Sequence, residues 1–172
     1  AELDQETSER GGEIGIDEEL LQAAFFNVAL EAYRRDPDDL ATTLELSRSL
    51  AAYGLSEAVP YVLADGVGKA TRPEEVSTAL RVLGAALDAD ASAGDYDAAM
   101  RTIAASDEFL TLADDKLRGA PELHPRVSDL RNQMAEIQIH AGRLGDARAS
   151  LDQAMKGSPS AEGPNTTKAP QS

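Results

Sequence analysis

Cysteine is missing altogether from the 172-residue chain, so disulfides, thiolate metal sites and a cysteine nucleophile are excluded at the outset. Tryptophan is missing too, and aromatic residues make up 4% of the chain, which leaves Ala, Leu, Val, Ile and Met to build a core. That palette, rich also in Glu, Asp and Arg, favours helices over sheet. Bases are scarce: 16 Lys and Arg stand against 31 Asp and Glu, a formal net charge of −15. Phosphate backbones are bound through clustered Lys and Arg that displace counterions, and no basic run exists here, so nucleic acid and anionic membrane surfaces are disfavoured. A negative field of this size suits a basic or neutral protein segment as partner. No stretch reaches the 18 apolar residues of a membrane span, so membrane insertion is not expected. No signal peptide is read within the sequence; the cytoplasm is the expected location, with a bacterial periplasm or cell surface as the alternative if a leader has been removed.

The length fits one domain, which at this size hides roughly 70% of the surface its unfolded chain exposes. Residues 1–16 are acidic and broken by Gly11, Gly12 and Gly15, and are expected to form a disordered arm. Residues 158–172 carry Pro159, Pro164 and Pro170 with little that is apolar, and are expected to form a disordered tail. Between them, residues 17–157 are punctuated as helices. Leu20, Leu21, Ala24, Phe25, Val28, Ala29 and Ala32 recur at three- and four-residue spacing and predict a first helix over 17–35. Asp36-Pro37 reads as the cap and first position of a second helix reaching Tyr53. Ser56 is placed to cap a third, through about Asp65, and Thr71, Pro73 and Glu74 to open a fourth with a capping box. Ala99, Ile103, Leu110 and Leu117 predict one long fifth helix over 95–118. A sixth runs from about Val127 to Ala141, and a seventh ends at Gly157, so about seven helices are expected.

Three glycines organise this series. Five residues after Gly54, Gly94 and Gly142 stand Val59, Ala99 and Ala147; nine after, Leu63, Ile103 and Leu151; twelve after, Gly66, Ser106 and Ala154. Small residues let two helices close on one another while the bulky aliphatic fills the groove between them. From Ser128 to Pro159, Met134, Ala135, Gly142, Leu144, Ala147, Leu151, Ala154 and Pro159 fall in the large, small, turn and proline positions of one known pattern, and Gly94, Asp95, Tyr96, Ala99 and Ile103 follow it more loosely. On these residues the chain resembles a tetratricopeptide repeat protein. The resemblance implies an all-α, TPR-like α-solenoid of three helical hairpins plus an N-terminal helix. The glycines are 40 and 48 residues apart (54 to 94, 94 to 142) against a usual period of about 34, so longer helices or loops must be inserted. In this family the first helix of each hairpin lines a groove that takes a partner protein or peptide. Carried across position by position, the groove residues are Arg48, Arg81, Asp88, Asp129, Asn132, Glu136, Ile139 and His140.

Chemistry finds little support in the residues. Catalysis needs convergent titratable groups in a cleft. The two histidines, His124 between prolines and His140 near a helix end, lack the spacing of a metal site, and no Asp-x-Asp-x-Asp-Gly loop is present. Gly66-Val67-Gly68-Lys69 lacks the first glycine and the final Ser or Thr of a phosphate loop and reads as a helix-ending turn. The expectation is therefore a non-enzymatic scaffold or adaptor without cofactor or metal. The alternative is a permanent subunit of a larger assembly, packed through the apolar face around Phe25 and Phe26.

Overall fold

The computed structural model describes residues 18–157; the expected arm over 1–16 and tail over 158–172, Pro159 included, lie outside them. Among the described residues the secondary structure is helical throughout. Eight α-helices follow one another: α1 (Glu18–Arg35), α2 (Leu40–Ala52), α3 (Val59–Lys69), α4 (Pro73–Ser92), α5 (Tyr96–Ala104), α6 (Asp107–Leu117), α7 (Pro125–His140) and α8 (Leu144–Gly157). A 3-10 turn at Ser56–Ala58 leads into α3. The class is all-α as expected, with eight helices in place of about seven.

Gly54, Gly94 and Gly142 carry the positive φ angles found among the described residues, +78°, +78° and +74°. Each closes its helix with the same two bonds. The glycine N–H donates to a carbonyl three residues back (Ala51, Ala91, Ile139), and the next N–H to one five residues back (Leu50, Asp90, Gln138). Glycine takes this left-handed cap without the Cβ penalty other residues meet. The helix that follows then packs on the one before: α3 on α2, α5 on α4 and α8 on α7.

The extra helix comes from the expected fifth, which is broken into α5 and α6. Ser106 is buried at the break and its hydroxyl donates to Thr102 O at 2.6 Å, the back-bonding that bends helices. Asp107 and Glu108 then supply the acidic first turn of a new helix. The break lets α5 lie against the 3-10 turn and α6 against α3, where Lys116 Nζ donates to Gly68 O and Ala70 O at the end of α3.

Three helix starts also differ from expectation. Asp39, not Asp36, caps α2 by accepting from Ala41 N at 3.1 Å, while Asp36 O takes the Thr42 hydroxyl. Ser56 caps nothing; it opens the 3-10 turn and its hydroxyl reaches Asp90 Oδ1 at 3.0 Å. At α4 the reciprocal carboxylate is Glu75, which accepts from the backbone N–H of Thr71 and of Arg72 and from the Arg72 side chain. The helical α3 runs on through Gly66-Val67-Gly68 to Lys69, beyond the expected end at Asp65.

α2 packs on α4 and α4 on α7. Asp39 and Leu44, at the start of α2, share a hollow with Arg72 and Thr78 at the start of α4, while Arg48 and Ala52 share another with Arg81 and Ala89 further along it, so the two run in the same direction. Arg126 shares a hollow with Ser77, and His140 shares another with Ser92, which aligns α7 with them. Behind this layer α3 and α6 pack together. Leu63 of α3, Leu83 and Leu87 of α4, and Phe109 and Leu117 of α6 are fully buried. Gly66 permits the close approach of α3 to α2, since a Cβ there would stand 2.6 Å from Thr43 Cγ2.

The terminal helices differ from the pattern read for them. On α1 the inward residues are Phe26, Ala29, Leu30 and Tyr33, with Phe26 stacked on Tyr53 at 5.4 Å between ring centroids. Leu20, Leu21, Phe25 and Val28 of the expected stripe are exposed. On α8, Ala147 and Ala154 are buried whereas Leu144, Leu151 and Met155 are exposed.

Candidate functional site

Six of the eight nominated groove residues line adjoining hollows on the α2–α4–α7 face. Arg48 and Arg81 rim a hollow of about 460 Å³ between α2 and α4, floored by alanines of both helices and by Val82. Arg81 also borders a second hollow, about 310 Å³, between α4 and α7, which it shares with Asp88, Arg126 and Asp129. Asp88 continues into a third, about 240 Å³, with Glu136 and His140. Asn132 and Ile139 are exposed on α7 and border none of the three.

The side chains converge because three helices present corresponding positions in parallel. Arg48 pairs with Glu45 one turn earlier in its own helix. Arg81 donates to Thr78 Oγ1 at 3.1 Å and forms no ion pair among the described residues. His140 Nδ1 lies 2.8 Å from Glu136 O, close to the negative end of α7, which a helix terminus favours for an imidazole. Gln133 escaped the sequence reading, yet it joins α7 to α4: its Nε2 donates to Gly84 O at 2.9 Å and to Asp88 Oδ1 at 2.6 Å. The signal was Gly84 itself, a lone glycine amid the alanines and leucines of a helix. A Cβ there would stand 2.9 Å from Gln133 Oε1.

Away from this face the polar clusters serve as ties between elements. Burial raises the Asp90 pKa above the ordinary carboxylate value; the Ser56 hydrogen bond opposes that shift, and Asp90 Oδ2 is buried without a partner among the described residues. Lys69 pairs with Asp65 at 2.9 Å and Asp38 at 3.1 Å, and donates to Pro37 O. The Asp65 and Asp38 carboxylates raise the Lys69 pKa, and the Lys69 hydrogen bond lowers that of Asp65. Because Gly66-Val67-Gly68 is helical, its N–H groups are engaged in the helix and cannot cradle a phosphate, which removes the phosphate-loop alternative. His124 is half-buried and lies 3.1 Å from Asp114 Oδ1, tying α6 to the entry of α7. Asp114 is half-buried in this contact.

Among the described residues no group of three or more His, Asp and Glu is placed to hold a metal ion. No helix among them is long and apolar enough to cross a membrane. No family model matches the chain, and neither a curated protein nor a solved structure matches it.

Proposed function

We propose that the chain is a TPR-like stack of helical hairpins and a non-enzymatic scaffold or adaptor, which holds an elongated segment of a partner protein along the α2–α4–α7 face. The observation that supports the reading is the continuity of that face: hollows between successive parallel helices share Arg81 and then Asp88 as common rims. A segment laid across it buries apolar side chains between helices, and the rim charges govern selectivity and rate of encounter. Selection of 15-residue peptides on the full chain, followed by amide chemical-shift mapping, tests it. Perturbations are expected at Arg48, Arg81, Asp88 and Glu136. Binders that perturb only α1 or α8 would sink the reading.

A second reading, a permanent subunit of a larger assembly, is favoured by the bare apolar face of α1, where Phe25 is 62% exposed. Salt separates the two. Association through the charged face slows as ionic strength rises, whereas burial of the α1 face does not.

A further inference from the structure

The charge on the α2–α4–α7 face is not that of the molecule as a whole. A net charge of −15 calls for a basic partner everywhere. The hollow between α2 and α4 has two arginines and no acid in its lining. Arg48 is held by Glu45, but among the described residues Arg81 has only the Thr78 hydroxyl, so its guanidinium keeps donors for a carboxylate brought from outside. The apolar floor beside it reduces the water that would screen such a pair. Across α4 the sign reverses: the third hollow is lined by Asp88 and Glu136, with His140 beside them.

We propose that the segment held on this face is charge-polarised: an apolar side chain fills the α2–α4 hollow, a neighbouring carboxylate pairs with Arg81, and a basic side chain reaches Asp88 and Glu136. The inference rests on the groove reading above and adds the chemistry of its occupant. Arg81 and Asp88 lie seven residues apart on one helix, about 10 Å along its axis. An extended chain covers that distance in about three residues. The recognised pattern is therefore acidic, apolar, any, basic.

Three fluorescent twelve-residue peptides probe it against the full chain, differing in a central Glu-Phe-Ala-Lys, Lys-Phe-Ala-Lys or Glu-Phe-Ala-Glu. Binding is read by anisotropy, and variants are first checked for an unchanged thermal transition. The polarised peptide is expected to bind most tightly. Arg81→Glu weakens it about tenfold and strengthens the all-basic peptide; Glu136→Lys strengthens the all-acidic one. Tightest binding by the all-basic peptide, insensitive to Arg81→Glu but lost in Glu136→Lys, overturns the polarity and leaves the groove intact. No binding by any of the three, while selected peptides map to α1 or α8, overturns both. Self-association of the chain abolished by Arg81→Glu assigns the hollow to a second copy and overturns the proposed occupant.

Discussion

Leu63 and Leu151 stand at the same place in the chain's internal pattern, nine residues after a left-handed glycine, yet Leu63 is fully buried and Leu151 is 40% exposed. Their local surroundings are alike: each follows an identical pair of capping bonds and a small buried residue, Val59 or Ala147, four positions earlier. What differs is the neighbour. α3 has α2 on one side and α6 on another, whereas α8 packs on α7. Burial in this molecule is set by the next hairpin and capping by the hairpin's own residues, so the middle and the ends share local geometry but not core.

The largest effect expected from that difference is at the leucines. Leu63→Ala removes a fully buried side chain and is expected to cost about 3 kcal/mol, while Leu151→Ala, already half in water, costs less than about 1 kcal/mol. Urea unfolding of the two variants measures both. Equal losses would break the comparison and place a covering element over α8.

How far this was legible in the sequence follows the same division. Gly54, Gly94 and Gly142 were readable because a helix end that needs positive φ calls for glycine whatever surrounds it. The break at Ser106 was not, because Ala99, Ile103, Leu110 and Leu117 keep a helical period across it. The back-bonded hydroxyl and the fit of α6 onto α3 are long-range facts. On α1 the stripe through Leu21, Phe25 and Val28 is as regular as the one through Phe26, Ala29 and Tyr33, and the packing of α1 on α2, with Tyr53 just past the end of α2 stacked on Phe26, decides which is covered. Arg48, Arg81, Asp88 and Glu136 were nominated through the tetratricopeptide resemblance, and they line the hollows between α2, α4 and α7. Gln133 was missed because its role depends on Gly84, on another helix.

Glycine replacement sharpens the comparison from the other side. Gly54→Ala and Gly142→Ala each force a Cβ into a left-handed cap and are expected to cost about 1–2 kcal/mol. Neither Cβ would meet another atom within 4 Å, so the penalty is conformational and the two losses should agree. A middle glycine costing several times more than the end one would show that the caps, too, depend on neighbouring hairpins.

The smallest effect tests what a hairpin tolerates four residues before its glycine, where Leu50, Asp90 and Gln138 correspond. Leu50 and Gln138 are buried, and Gln138 Oε1 accepts the Ser150 hydroxyl at 2.8 Å. Asp90 accepts from Ser56 in a similar way but is a carboxylate whose pKa is raised by burial, with Asp95 adding to the rise. A carboxyl that titrates higher in the folded chain than in the unfolded one binds its proton more tightly when folded, so it weakens the fold above the folded pKa. That penalty is relieved as pH falls through the folded value. Asp65 and Glu75 act with the opposite sign: their lowered pKa values contribute stability at neutral pH that is lost on acidification. Asp90→Asn keeps an acceptor for Ser56 without the charge. Its urea midpoint should exceed that of the parent chain at pH 7, and the gap should close as the pH is lowered and Asp90 takes up its proton. A gap that stays constant or widens over that range would mean that the Asp90 charge does not set the difference between this hairpin and its neighbours.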